Sequence, residues 1–159
     1  MTKSVGNDRI MQKPCGGLAP ALLVVDQDAA DLESYSALLC DEGFEVWAST
    51  SYADALNWLG TRRFDFIIIS QGTQNFEGRP VLGRAVELDR RIPVVVLAPS
   101  LDMECYLEAM QMGAIDYFEK PVAPPELVRL IKAHLPTRAN AASASSPRGR
   151  AAGSGPPMP

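Results

Sequence analysis

The chain has 159 residues, of which 47% are hydrophobic and 21% charged, and its formal net charge is −4. This composition is typical of one soluble globular domain, and the apolar runs are too short to span a bilayer. Residues 18–135 carry 18 acidic and 9 basic side chains, a balance that argues against direct nucleic-acid binding by the folded core.

The cysteines and the first residues predict a cytoplasmic protein. Cys15, Cys40 and Cys105 are odd in number and form no CxxC pair, so free thiols in a reducing compartment are favoured over disulfides or a metal site. The segment 1–17 is mostly polar and lacks the apolar stretch of a secretory signal. We therefore expect no membrane partner.

Both ends of the chain differ in composition from its middle. Residues 136–159 are rich in Ala, Ser, Gly and Pro and contain no acidic side chain, so they bury too little apolar surface to offset the entropy of ordering. We predict a disordered tail over 136–159, a disordered head over 1–17 and one domain over 18–135. The tail's role stays open between a linker, a truncated junction and an interaction arm.

The middle of the chain alternates between strand and helix patterns. Short apolar runs predict strands, and apolar residues at helical spacing predict the segments between them. Five strands alternating with five helices favour an α/β fold with a parallel sheet covered on both faces. The simplest arrangement is a flavodoxin-like (βα)5 three-layer sandwich with strand order 2-1-3-4-5. The predicted strands are Ala21–Val25, Glu45–Ala48, Phe64–Ile69, Ile92–Leu97 and Ile115–Phe118; the predicted helices are Ala29–Glu42, Tyr52–Leu59, Pro80–Asp89, Met103–Met112 and Pro124–His134.

Polar and small residues follow four of the predicted strands. Because the carboxyl ends of parallel strands line the ligand crevice of such a sheet, these residues are expected to form one site. They are Asp26, Gln27, Ser70, Ala98 and Lys120. The loop 71–78 contains glycine but lacks the GxxxxGK[ST] arrangement, so it does not predict nucleotide binding.

Several motifs resemble the receiver domain of two-component response regulators. The longest is the ordered block Gly113–Pro121, and the resemblance covers roughly Leu18–Leu135. In that family an acidic pair after the first strand and an aspartate after the third hold Mg²⁺, and the aspartate accepts a phosphoryl group from a kinase histidine. A Thr or Ser after the fourth strand and a Lys after the fifth bind the phosphoryl oxygens. Shorter motifs that fit the family are Leu23-Val24-Val25-Asp26, Ala53-Asp54-Ala55-Leu56 and Pro93-Val94-Val95-Val96-Leu97.

Carried over residue by residue, this site is depleted. Asp26 is the only retained acidic ligand position, since Gln27 replaces the second carboxylate and Ser70 replaces the phosphoacceptor. Ala98 replaces the hydroxyl residue, whereas Lys120 remains. Mg²⁺ prefers anionic oxygen ligands, so we expect weak or absent Mg²⁺ binding and no other cofactor. Ser70 is also a poor nucleophile without a positioned base.

Some residues of the site leave alternatives open. Lys120 is expected to form a structural ion pair with Asp26 rather than to act in catalysis. Ser70 is interpreted as a small residue at a strand end, with a phosphorylated serine as the alternative. The resemblance implies a cis peptide bond before Pro121 and a switch role for Tyr117, whose ring is either permanently inward or exposed at an interface.

Helix geometry indicates roles for two further pairs of residues. The apolar run within Met103–Met112 is more typical of core than of an interface, but it is too apolar for all of it to face inward on one helix. Tyr106 and Met110, four residues apart, are therefore expected to share an exposed side of the docking surface that the family uses. Asp28 and Asp31 are expected to cap the first helix and to interact favourably with its dipole.

The sequence thus predicts a pseudo-receiver that is not an enzyme and that signals by phosphorylation-independent protein–protein interaction. The expected partner is a histidine kinase, an output protein or a second copy of the chain as a homodimer. Two alternatives stay open: the N-terminal receiver of a larger transcription regulator, and a phosphoryl-accepting regulator with an unconventional site using Asp26 or Ser70.

Overall fold

Five parallel strands form the centre of the fold. The computed structural model describes residues 11–13, 19–73 and 75–135. The parallel strands are β2 (Ala21–Val25), β3 (Glu45–Ser49), β4 (Phe66–Ser70), β5 (Val94–Ala98) and β6 (Asp116–Glu119), and they lie in the order β3-β2-β4-β5-β6. Counted from β2, this is the predicted order 2-1-3-4-5, so the flavodoxin-like prediction is confirmed.

Five helices cover the sheet. They are α1 (Ala29–Asp41), α2 (Tyr52–Thr61), α3 (Arg79–Leu88), α4 (Met103–Met112) and α5 (Pro124–His134). None of the helices in the described part of the chain is long and apolar enough to cross a membrane.

Two apolar cores hold the three layers together. Because successive side chains of a strand point to opposite faces, Leu22 and Val24 pack with α1 and α5, whereas Leu23 and Val25 pack with α2, α3 and α4. The central strands β4 and β5 are buried along their whole length, which explains their continuous apolar runs. This rigid sheet fixes the positions of the residues that follow its strands.

Local signals set where the helices start and stop. The carboxylate of Asp28 accepts a hydrogen bond from the N–H of Asp31, so it caps α1, and Asp102 caps α4 through the N–H groups of Glu104 and Cys105. At the end of α4, Gly113 has a φ of 118°, a left-handed conformation that favours glycine. The two N-terminal caps fix the first turns of α1 and α4, which follow the carboxyl ends of β2 and β5.

The edge of the sheet carries a strand that the sequence analysis missed. β1 (Met11–Lys13) pairs antiparallel with β3, with Met11 opposite Ala48 and Lys13 opposite Val46. The prediction of a disordered head is therefore corrected at these three residues, because the outer edge of β3 offers free backbone groups for pairing. The rest of the head and the whole predicted tail 136–159 lie outside the described residues.

Candidate functional site

Residues from four strand ends and the start of α1 meet in a small cavity. Its volume is about 120 Å³. Four of the five residues predicted to meet here line it, while Ala98 is fully buried beside it and accepts a backbone hydrogen bond from Lys120 at 2.7 Å. The lining residues are Asp26, Gln27, Asp28, Asp31, Ser70, Gly72, Thr73, Pro99 and Lys120.

Lys120 lies between two carboxylates in this cavity. Its Nζ is 2.7 Å from Oδ2 of Asp26 and 3.0 Å from Oδ2 of Asp31. The Asp26 side chain is 3% exposed, that of Lys120 14% and that of Asp31 41%. The other Asp26 oxygen, Oδ1, accepts a hydrogen bond from the N–H of Asp28 at 2.9 Å. Both charges of the inner pair are therefore satisfied within the protein.

The electrostatics of this pair favour a charged lysine. Burial lowers the pKa of Lys120, but the hydrogen bonds to Asp26 and Asp31 outweigh burial and raise its pKa above the usual value. Burial also raises the pKa of Asp26, and the bond to Lys120 offsets only part of that rise. The raised pKa of Lys120 favours the ion pair, whereas the raised pKa of Asp26 favours a neutral carboxyl group and opposes it. The 2.7 Å contact and the second carboxylate, that of Asp31, support the ion pair.

Ser70 is tied into the backbone around it. The structure places it inside β4, as its last residue. Its Oγ accepts a hydrogen bond from the N–H of Gly72 at 3.2 Å, and its carbonyl accepts one from the Tyr52 hydroxyl at 3.0 Å. Gly78 packs so closely that a Cβ there would lie 2.5 Å from the Ser70 carbonyl oxygen. These contacts support the interpretation of Ser70 as a structural strand-end residue.

Burial of the Tyr52 side chain predicts a loss of stability at alkaline pH. Burial raises the pKa of Tyr52 to about 12, whereas an unfolded tyrosine ionises near pH ~10. The stability that this difference contributes is fully present below about pH 10 and is lost as the pH rises towards the folded-state pKa. Discounted for the partial exposure of the ring, the loss between pH ~10 and ~12 is about 1 kcal/mol.

Tyr52→Phe removes this titration, so its unfolding free energy should fall less steeply with alkaline pH than that of the parent chain. Urea unfolding at a series of pH values measures the two slopes. Parallel curves across this range would contradict the assignment to Tyr52. At neutral pH the variant should lose only about 1 kcal/mol, for the missing hydrogen bond.

Asp31 and Gln71 contribute to the site although the sequence analysis did not assign them to it. Asp28 caps α1 as predicted, but the Asp31 side chain turns to Lys120. Gln71, directly after β4, is buried with 6% exposure, and its Oε1 accepts a hydrogen bond from the Tyr117 hydroxyl. The one sequence signal for Gln71 is that it is a polar residue directly after a buried strand.

Tyr117 points inward, and its neighbours on α4 are less exposed than expected. Its ring is 6% exposed and packs edge-on against Tyr106 with centroids 5.6 Å apart. The expected exposed pair of Tyr106 and Met110 is wrong: both are half-buried and pack against the core around α2, α3 and α4. The exposed apolar side chains at this end are instead Leu101, Met103 and Leu107.

The loop between Lys120 and α5 contains the cis peptide bond that the family resemblance implies. The peptide bond between Lys120 and Pro121 is cis. Lys120 follows β6 directly, so its side chain starts at the carboxyl edge of the sheet.

The residues at this edge do not fit Mg²⁺. The ion prefers several anionic oxygen ligands in octahedral geometry. Asp26 and Asp31 are already bonded to Lys120, Asp28 caps α1, and Gln27 and Ser70 are neutral. Among the residues that the structure describes, no group of three or more His, Cys, Asp or Glu side chains is arranged to hold a metal. Lys120 supplies the positive charge that balances the carboxylates here.

Comparisons with known proteins agree with this fold. The family model described as "Response regulator receiver domain" matches residues 22–132. The transcriptional regulatory protein PrrA of Mycobacterium tuberculosis is 33% identical over 131 residues, which cover 82% of this chain and 56% of PrrA. The DNA-binding response regulator MtrA of the same species is 31% identical over 114 residues, covering 72% of this chain and 50% of MtrA.

A solved structure of a receiver domain has a similar fold. A CheY-like response regulator receiver domain protein from Methanospirillum hungatei superposes with a TM-score of 0.68 at 26% identity, covering 72% of this chain and 92% of that structure. The chain spans about half the length of the curated relatives it matches. Both the fold and the matched residues place this chain in the response regulator receiver domain family.

Proposed function

We propose that this receiver domain transmits signals by protein–protein contact and without phosphorylation. The observation that carries the proposal is the Lys120 ammonium, bonded to both Asp26 and Asp31, in a cavity where the phosphoacceptor position holds Ser70. A phosphoryl group would need an acceptor carboxylate, a metal to balance its charge and a free lysine. Ser70 removes the acceptor, Gln27 leaves the metal short of anionic ligands, and the ion pairs engage the lysine.

The chemistry of Ser70 supports the same conclusion. An unactivated hydroxyl needs a base within hydrogen-bond reach, and the Oγ of Ser70 is bonded to the N–H of Gly72. The only histidine, His134, ends α5 and bonds to Leu130 of its own helix. The domain is therefore proposed not to be an enzyme, with weak or absent Mg²⁺ binding.

Partner binding then replaces phosphorylation as the signal. The partner is proposed to be a histidine kinase, an output protein or a second copy of the chain in a homodimer, and the domain is proposed to act in the cytoplasm. Regulation would follow from the abundance or affinity of that partner, because a ligand shifts a conformational equilibrium only through its differential affinity for the two states.

The test is a magnesium titration followed by backbone NMR, with and without beryllofluoride as a phosphoryl mimic. We expect no saturable shifts at Asp26, Ser70 or Lys120. Sodium sulfate at the same ionic strength as the magnesium sulfate serves as the control for screening of surface charge. Saturable shifts that extend to Tyr117 would overturn the proposal and support the alternative of an unconventional phosphoryl-accepting site.

A second function is favoured by the names of the relatives. PrrA is a transcriptional regulatory protein and MtrA a DNA-binding response regulator, and this chain covers about half of each. By analogy, the domain would be the N-terminal receiver of a transcription regulator, with a separate domain rather than this acidic one contacting DNA. Sequencing the transcript beyond Pro159 tests this: a helix-turn-helix domain in the same reading frame would support it, and a stop codon would exclude it.

A further inference from the structure

The inward position of Tyr117 depends on contacts that involve no phosphoryl group. Its hydroxyl donates a hydrogen bond to Oε1 of Gln71, and both side chains are 6% exposed. A buried polar group without a partner is costly, so each of these residues satisfies the other. Turning Tyr117 outward would leave the Gln71 oxygen without this bond in a buried place.

The same hydroxyl also contacts the start of α4. The backbone N–H of Asp102 donates to the Tyr117 oxygen at 3.4 Å. Asp102 is the residue whose carboxylate caps α4, and its own N–H belongs to the groups at a helix start that lack a partner within the helix. Tyr106, one turn further along α4, packs edge-on against the Tyr117 ring. Tyr117 thus connects the loop after β4 with the first turn of α4.

Ala98 leaves room for this connection. In the sheet, β5 lies between β4 and β6, so the bond from Gln71 to Tyr117 passes across the end of β5. Ala98 is the last residue of β5, is fully buried and belongs to the same apolar core as Tyr117. Its methyl side chain is the smallest that this position could carry apart from glycine. The small side chain of Ala98 and the acceptor oxygen of Gln71 are therefore both compatible with the inward position of Tyr117.

We propose that Gln71 is a positioning residue that holds Tyr117 inward and thereby fixes the first turn of α4 in one arrangement, independently of phosphorylation. The exposed apolar side chains of Leu101, Met103 and Leu107 are then presented in the same geometry at all times. The consequence for signalling rests on the function proposed above, whereas the contact itself does not.

Gln71→Met tests the proposal, because methionine has a similar length and offers no strong acceptor. Without the bond, we expect the amide hydrogens of Glu104 and Cys105, which bond to the Asp102 cap, to exchange about tenfold faster. The ring signals of Tyr117 should shift in the NMR spectrum at the same time. Gln71→Glu keeps an acceptor oxygen and should restore slow exchange in part.

Gln111→Met is the matched control, since Gln111 is an exposed glutamine on α4. If Gln71→Met changes exchange no more than this control does, the proposal is wrong. Tyr117→Phe removes the same bond from the other side, so the double variant should exchange no faster than the faster single variant. Additive effects of the two substitutions would also overturn the proposal, and Tyr117→Phe keeps it testable if Gln71→Met fails to fold.

These measurements use the whole chain without magnesium, phosphodonor or partner protein. Their failure would refute the role of Gln71 and leave phosphorylation-independent signalling untouched. Conversely, phosphorylation of the parent chain would refute the proposed function and leave the contact between Gln71 and Tyr117 in place. The two proposals can therefore fail separately.

Discussion

Lys120→Met should lower the free energy of unfolding by about 3 kcal/mol at pH ~8, because removing one partner of a buried ion pair leaves the other charge without compensation. Asp26 is 3% exposed and would keep only its bond from the N–H of Asp28. Asp31 is 41% exposed and can be solvated by water instead. The measurement is urea unfolding of the variant and the parent chain. A lower midpoint urea concentration, with the same dependence of the unfolding free energy on urea, shows the loss of stability.

The loss in Lys120→Met should also depend on pH. Burial already raises the pKa of Asp26, and without the lysine this pKa rises further. A carboxyl group whose folded-state pKa is raised contributes stability at low pH that is lost as the pH rises through that pKa. The variant should therefore be closer to the parent chain at pH ~5 than at pH ~8.

Two variants control this experiment. Lys132→Met breaks the exposed pair with Glu42 at 3.2 Å, and surface pairs contribute only about 0–1 kcal/mol. Asp26→Asn combined with Lys120→Met removes the uncompensated charge and should recover most of the loss. A Lys120→Met variant as stable as Lys132→Met would show that the inner ion pair contributes little.

Ser70→Asp should not by itself restore Mg²⁺-dependent phosphorylation. The new carboxylate would face a neutral Gln27 and an Ala98 without a hydroxyl, so the ion would still lack the anionic ligands it prefers. Lys120 would also remain bonded to Asp26 and Asp31. Incubation with a small phosphodonor and Mg²⁺, followed by intact mass measurement, should give no adduct above the level in the parent chain.

The comparison for this experiment is the triple variant Gln27→Asp, Ser70→Asp and Ala98→Thr. It rebuilds all three lost positions on the same fold and should become labelled by the same phosphodonor. Strong labelling of Ser70→Asp alone would mean that Gln27 and Ala98 matter less than we argue. Such a result would also weaken the proposal that phosphorylation was lost through several concerted changes.

The strands β2, β4 and β5 could be predicted because each is a short apolar run, and that pattern is local in sequence. The strand order could be predicted because strands alternate with helices and crossovers between parallel strands are right-handed. The ends of the strands were less certain: Ser70 was placed after its strand, and the structure includes it in β4. Backbone hydrogen bonds with a neighbouring strand decide such a boundary, and the side-chain pattern does not report them.

The missed features all depend on partners that are distant in sequence. β1 is only Met11–Lys13 and is defined by its pairing with Val46–Ala48. Asp31 and Gln71 were overlooked because the directions of their side chains are set by Lys120 and Tyr117, which lie on other elements. Tyr106 and Met110 were misplaced because four-residue spacing shows that two residues share a helix face but does not show whether that face is buried.

The pairing of β1 with β3 also bears on how the domain can be handled as a fragment. A fragment that starts at Leu18, where the resemblance to receiver domains begins, would lose Met11–Lys13 and uncover the outer backbone of β3. An uncovered strand of this kind is a template on which further chains can add. A fragment with the boundary suggested by homology would thus be prone to self-association. A dimer of that fragment would result from the truncation and would not show that the whole chain dimerises.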